Sequence, residues 1–313
     1  MGQSNSVVLE PRSKPFRWAL QLPGDIISLY MIVQSVDSCP YNRCGFCYTY
    51  RDYPPHRVLS VDEVKADFES TYKEYKQIGH GAYRLGQRAF ICDADPLTRP
   101  IGESLEILRY LHSFEPIKDT LKVVATYARA DTVFRKKDDL ARLRNAGLTD
   151  LYMGVESGDD EILRKADKGY TTDVIRKSVT EAKQHGYRIH AFVITGLGGL
   201  ERTHEHAQST ASLLNELQPD TVIVSPLTLS SITAMGQACQ KGEFQELTLE
   251  EKITEESRLV NGLDLATTIK LMGCFRCSEI GFSGKLPEDK EKLLKWLQKN
   301  ANESTHYLSC APD

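Results

Sequence analysis

The sequence predicts an α/β fold, a partial (β/α)6 barrel followed by a C-terminal helical extension. Three observations lead there. Six short apolar runs alternate with amphipathic segments between about residues 26 and 225, the pattern of parallel βαβ units joined by right-handed crossovers. Runs such as Phe192-Val193-Ile194 are continuously apolar, which fits a sheet covered on both faces. After about residue 235 the strand pattern gives way to helical periodicity, two units short of a closed eight-stranded barrel.

Each element has its own signal. Residues 26–36 form a β-branched and aromatic run, the first strand. Ser60 and Glu63 have capping-box spacing and open a helix running towards Gly79. Residues 89–92 form a second strand, followed by a loop with Pro96 and Pro100 and a helix over 103–113. A third strand spans 121–126, and a helix over 136–146 is stopped by Gly147. The fourth strand, 151–155, leads into helices at 159–166 and 172–185, the second closed by Gly186. The fifth strand covers 188–194, its helix 204–217, and the sixth strand 221–225. Helices at 248–263 and 288–300 then flank a stretch rich in Cys and Gly. The expected organisation is an N-terminal extension (1–24), the partial barrel (25–235), and a helical cap (236–313) belonging to the same globule.

Composition excludes several function classes. The 313 residues are 41% hydrophobic and 26% charged, the mixture of an ordinary globular protein. A net charge of −4 argues against a dedicated binder of nucleic acid or anionic membrane. No apolar run approaches the roughly 20 residues a membrane helix requires, and the expected location is the cytoplasm. The eight cysteines are too few for a disulfide scaffold, but Cys39, Cys44 and Cys47 cluster within nine residues. Clustered thiols without a secretory signal read as metal or redox chemistry.

The cluster, Cys39-Pro-Tyr-Asn-Arg-Cys44-Gly-Phe-Cys47, directly follows the first strand, where α/β barrels carry their reactive loops. Three thiolates on one loop suit a [4Fe–4S] cluster with one iron open to an exogenous ligand. A structural zinc site completed by a distant fourth ligand and three plain buried thiols are the alternatives.

This loop resembles that of the radical S-adenosylmethionine (SAM) superfamily, whose commonest form is Cys-x3-Cys-x2-Cys with an aromatic residue before the last cysteine. Phe46 supplies the aromatic, while the first gap here is one residue longer. From about residue 26 to 294 the chain resembles a large bacterial and archaeal group of that superfamily. That group is related to oxygen-independent coproporphyrinogen dehydrogenases and to tRNA methylthiotransferases. Stretches 151–171, 194–215 and 286–294 carry the likeness.

The resemblance implies that Cys39, Cys44 and Cys47 hold the cluster and that its open iron binds SAM. Reductive cleavage would then give a 5′-deoxyadenosyl radical that abstracts hydrogen from a small-molecule substrate. An electron donor such as ferredoxin or flavodoxin is implied as a partner. Two alternatives stand beside this reading: a cluster- or metal-holding assembly protein without SAM cleavage, and a tRNA-modifying radical SAM enzyme.

The resemblance also marks cofactor contacts at the strand ends. Where relatives carry Gly-Gly-Glu to receive the SAM amino group, this chain has Asp93 and Asp95. Glu156 corresponds to a polar side chain facing SAM, and Lys168, with Arg164 next, to the residue pairing with the SAM carboxylate. His190 and the turn with Gly196 and Gly198 bracket the fifth strand and resemble the adenine-lining segment. Ser225, ending the sixth strand, borders the same pocket. Cys274 and Cys277 form a Cys-x2-Cys pair that could hold an auxiliary cluster. Cys92, Cys239 and Cys310 read as bystanders. No catalytic residue beyond these cofactor contacts is assignable from the sequence.

Overall fold

The computed structural model describes residues 31–78, 87–272 and 280–302. β1 (Met31–Gln34) leads at once into a small antiparallel ribbon, β2 (Val36–Asp37) with β3 (Arg57–Val58), and the cysteine loop hangs between these two short strands. The feet of this excursion are tied together. Leu59 N–H donates to the Ser35 carbonyl at 3.1 Å, and the buried Arg99 guanidinium donates to the carbonyls of both Ser35 and Leu59. An Arg with five fixed donors can bridge two strands in this way; a Lys ammonium has no such fork.

Beyond the ribbon the chain alternates as expected. α1 (Val61–Ile78) begins at the Ser60–Glu63 capping box, whose two reciprocal bonds are both present at 2.8 and 3.2 Å. Then come β4 (Arg88–Cys92), α2 (Ile101–Ser113), β5 (Val123–Ala128), α3 (Ala130–Arg135), α4 (Lys137–Asn145) and β6 (Asp150–Glu156). α5 (Asp160–Lys165), α6 (Thr172–Gln184), β7 (Arg188–Thr195), α7 (Thr203–Leu217) and β8 (Thr221–Pro226) complete six units. Gly147 and Gly186 take left-handed φ values of +103° and +75° after α4 and α6, as helix-closing glycines do.

The partial α/β barrel is present, but the residues after 235 are more than a helical cap. Besides α8 (Ala234–Gln240), α9 (Leu249–Gly262) and α10 (Lys290–Asn302), they contribute β9 (Thr267–Met272) and β10 (Ile280–Leu286). The eight-stranded sheet runs β1-β4-β5-β6-β7-β8-β9-β10, parallel throughout except for the last antiparallel pair. β8, α9 and β9 thus form a seventh crossover unit. The reading from sequence misses it because β8 and α9 are separated by a long connection, and Lys270 interrupts an otherwise apolar Thr-Thr-Ile-Lys-Leu-Met run. The extension at 1–24 lies outside the described residues. Among the described residues no helix is long and apolar enough to cross a membrane.

Side-chain alternation divides the core. Outward residues such as Val33, Val124, Leu151 and Val222 pack beneath the helices in one large cluster. Inward residues Ile32, Phe90, Ala125, Tyr152, Ile223 and Met272 meet one another, with Tyr127 and Phe192 against them. Side chains from β1 and β9, far apart in the sheet order, share this inner cluster, so the sheet curls into a trough. The floor of that trough is polar and closed. His190 Nε2 and Arg188 each lie 2.8 Å from the buried Asp150 carboxylate, and the His190 ring stacks on Tyr152 at 4.1 Å.

Candidate active site

The C-terminal ends of the parallel strands surround a cavity of about 230 Å³, with Cys39, Cys44 and Cys47 on one wall. The loop carrying them is held on several sides. Gly45 N–H donates to the Ala166 carbonyl at 2.7 Å, and the Gly45 carbonyl accepts from Met235 N–H at 2.9 Å. Tyr41 donates to Asp167 at 2.6 Å, and its ring lies 4.0 Å from the Arg129 guanidinium carbon. The loop is therefore docked on the 166–170 turn and on α8.

The donor set fits an iron–sulfur centre. Three thiols line one cavity, and three thiolates can each hold one iron of a cubane and leave the fourth iron open. Burial pushes the Cys44 and Cys47 thiols up, and the Cys39 charge raises Cys47 further. Lys168 opposes both shifts. Thiols so placed ionise when a cation arrives, so loading releases protons.

Beside the loop stands a buried ion pair. β6 and β7 shift register between Gly154 and Glu156, and Glu156 takes φ +62°, a conformation costly for a residue with a side chain. The distortion turns its carboxylate inward, where Oε1 lies 2.6 Å from Lys168 Nζ with both side chains nearly buried. A Cβ at residue 154 would stand 2.2 Å from Glu156 Oε1 and 2.7 Å from Lys168 Nζ, so a side chain here would displace the ion pair. Burial pushes the Lys168 ammonium down, but the Glu156, Tyr170 and Cys44 charges together outweigh it and raise the group. Arg129 adds a second cation, donating to the Lys168 carbonyl at 3.0 Å and to Asp131 at 3.0 Å. Lys168, Arg129 and Glu156 all line the cavity, together with Ser225.

The strained backbone at Glu156 is supported from outside the barrel. His206 on α7 sits with Nε2 3.3 Å from the Glu156 carbonyl and Nδ1 2.8 Å from Glu255 on α9. Glu255 also accepts from Gly196 N–H at 2.7 Å. Its neighbour Glu256 accepts from Thr195 at 3.0 Å and is pushed up to about 8, by burial first and the Glu255 charge second. A carboxyl raised in this way keeps its proton in the folded chain and loses it on unfolding. Its contribution therefore falls as pH rises from the ordinary carboxylate range, roughly 4.3, towards the folded value, and levels off above it. Glu256→Gln is expected to unfold at a higher temperature than wild type at pH 8, with the gap closing towards pH 5. Melting curves across that range check this, and parallel profiles would contradict it.

Several residues expected to touch SAM do not line the cavity. His190 sits on the barrel floor, because it is near the N-terminal start of β7; only Phe192, Val193 and Ile194 of that strand reach the cavity. Gly196 and Gly198 do not line the cavity. A Cβ on Gly198 would stand 2.8 Å from Ile162, so this glycine permits close packing of the turn on α5. Arg164 is exposed on α5, leaving Lys168 as the cation of that stretch. Asp93 and Asp95 are buried on either side of Ala94, which alone of the three lines the cavity. Asp93 accepts from Gln34 at 3.0 Å, and burial raises it well above the carboxylate range. Asp95 is pushed up to about 6 by burial beside Arg129 and Thr132. Cys274, Cys277 and Cys310 lie outside the described residues. Arg129, Tyr127, Tyr152 and Tyr170 also line the cavity without having been marked from sequence. Arg129 directly follows β5, the position at which Glu156 and Ser225 were noticed on their strands.

Comparison with known proteins agrees with this arrangement. The Radical SAM superfamily profile matches residues 33–214. The chain is 26% identical over 208 residues to a probable threonylcarbamoyladenosine tRNA methylthiotransferase of Pyrococcus abyssi, covering 63% of this chain and 44% of that protein. It thus spans less than half the length of that relative. Among solved structures, Elp3 of Methanocaldococcus infernus superposes with a TM-score of 0.56 at 14% identity, covering 87% of this chain and 62% of that one. Coproporphyrinogen III oxidase of Escherichia coli does so with a TM-score of 0.50 at 17% identity, covering 74% and 51%. At such identities these structures establish the fold alone. With the profile spanning more than half of the chain and the cysteine loop at the mouth of a partial barrel, the chain belongs to the radical SAM superfamily.

Proposed function

We propose that the chain is a radical SAM enzyme that holds a [4Fe–4S] cluster through Cys39, Cys44 and Cys47 and acts on a small-molecule substrate. The observation that carries this reading is the shared cavity, lined by three thiols together with the Glu156–Lys168 pair and Arg129. The cluster, when bound, supplies the one-electron reduction that cleaves SAM to a 5′-deoxyadenosyl radical; a ferredoxin or flavodoxin would deliver the electron.

The chain's own residues do the rest. Lys168 and Arg129 offer donors to the SAM carboxylate, and Glu156 accepts from its ammonium or ribose hydroxyls. Val193, Ile194 and Phe192 give an apolar wall for the adenine or the substrate, bordered by Ser225. The inner rings of Phe90, Tyr127 and Tyr152 close the trough below and keep water from a reactive radical.

The likeness to a tRNA methylthiotransferase favours a second reading, modification of a tRNA base. The net charge of −4 and a match over 44% of that protein weigh against it. Salt-sensitive retention of tRNA would support the tRNA reading; its absence would close it. The main proposal is tested by anaerobic reconstitution with iron and sulfide, then dithionite and SAM. 5′-Deoxyadenosine above that of a triple Cys39→Ala/Cys44→Ala/Cys47→Ala protein is the expected product. None above that control would leave a cluster-holding protein without SAM cleavage.

A further inference from the structure

We propose that Arg51 is a positioning residue that folds the cysteine loop into its iron-accepting shape before any iron arrives. This rests on the cluster proposed above. Arg51 stands four residues after Cys47, and its guanidinium spends every nitrogen on carbonyls of the loop. Nε donates to the Cys47 carbonyl at 3.0 Å, Nη1 to that of Asn42 at 2.7 Å and Nη2 to that of Cys44 at 2.6 Å. Two of the three carbonyls belong to ligand residues. Arg51 does not line the cavity, so it grips the loop from behind, clear of the SAM side.

Asn42 is the other half of this device. It occupies the long first gap between Cys39 and Cys44 and takes φ +40°, a left-handed turn that Asn tolerates better than most residues. Its N–H points to Cys39 Sγ at 3.4 Å, and its side-chain amide donates to the Tyr50 carbonyl at 2.8 Å. The longer gap is thus absorbed by one left-handed residue whose carbonyl is then captured by Arg51. Without the guanidinium the Asn42 and Cys47 carbonyls lose this donor, the Cys44 carbonyl keeps only the Cys47 N–H at 3.1 Å, and the converging carbonyls repel one another. Only a planar fork of fixed donors satisfies all three; an ammonium would serve one or two.

The test uses the full chain and iron content rather than activity. Apo wild type, Arg51→Met, Arg51→Lys, Asn42→Gly and Asn42→Val are reconstituted anaerobically with ferrous iron and sulfide. Loading rate, irons per chain and the EPR spectrum of the dithionite-reduced protein are recorded, with circular dichroism confirming the fold of each apo chain. Arg51→Met is expected to load about ten-fold more slowly or worse, as the loss of several charge-assisted bonds implies, and to give a broadened spectrum. Arg51→Lys falls between it and wild type. Asn42→Gly, which keeps the left-handed turn, loads within about two-fold of wild type, whereas Asn42→Val, which resists it, behaves like Arg51→Met. Wild-type rate, stoichiometry and line shape in Arg51→Met would overturn the inference while leaving the cluster reading intact. If Arg51→Met fails to fold, equal loading by the two Asn42 variants overturns it instead. A wild-type chain that takes up no iron overturns the inference and the cluster reading together.

Discussion

Replacing any one of Cys39, Cys44 and Cys47 by alanine is expected to remove the cluster and lower SAM cleavage by on the order of 10³-fold or more, since the reaction depends on the cofactor for its hard chemistry. The three are equivalent in this respect because each occupies the same cavity wall and a cluster with an open iron has no ligand to spare. Cys92 and Cys239 provide the contrast. Cys92 is buried in the inner core beneath Tyr127, and Cys239 lies half-buried on α8. Cys92→Ala should cost stability, and Cys239→Ala little, while both keep wild-type iron and 5′-deoxyadenosine. Iron and product measured side by side for the five variants check this. Full activity in any of the first three, or loss of iron in either of the last two, would contradict the assignment.

Lys168→Met is expected to have the second largest effect, on two separate readouts. It leaves the Glu156 carboxylate buried without its partner at 2.6 Å, a change that costs about 3–5 kcal/mol in comparable buried pairs. The same substitution removes a cation offered to the SAM carboxylate, so SAM affinity should fall by about 10- to 100-fold. The double variant Glu156→Gln/Lys168→Met separates the two. With neither charge buried, most of the lost stability returns, but SAM binding stays weak. Thermal unfolding and anaerobic equilibrium dialysis measure both. A double variant no more stable than Lys168→Met, or one that binds SAM as wild type does, would rule out this role for the pair.

Much of the site is legible from local chemistry because local chemistry produces it. Three thiols within nine residues after a strand are close in space whatever the rest of the chain does. Lys168, in the turn between α5 and α6, is marked only by the resemblance to the superfamily. Glu156 and Ser225 stand at the ends of β6 and β8, in keeping with the rule that reactive side chains gather at the C-terminal ends of parallel strands. The same rule, applied to β5, would have pointed to Arg129. His190 fails it instructively: period-2 alternation puts residues 190, 192 and 194 on one face, but only position along the strand decides which of them are at the mouth and which at the floor. Asp93 and Asp95 lie outside the cavity lining for another reason. Polar residues at a strand end can face the cavity or the packed layer beside it, and burial against Gln34 and α3 is a tertiary outcome. β9 and β10 lie hidden because two lysines and two glycines dilute their apolar pattern, while pairing with β8 and with each other and packing of α10 on β10 stabilise them. The Arg51 clamp joins residues close in sequence, yet no motif signals that one guanidinium serves three carbonyls.

The central proposal is that the cysteine thiols and the Glu156–Lys168 pair serve the same cofactor assembly. It is tested most directly by EPR of the reconstituted, dithionite-reduced chain before and after adding SAM. The expected result is a [4Fe–4S]⁺ signal whose g values shift when SAM is added, with the shift weakened in Lys168→Met at the same SAM concentration. A cluster signal that SAM leaves unchanged in the wild-type chain would contradict it.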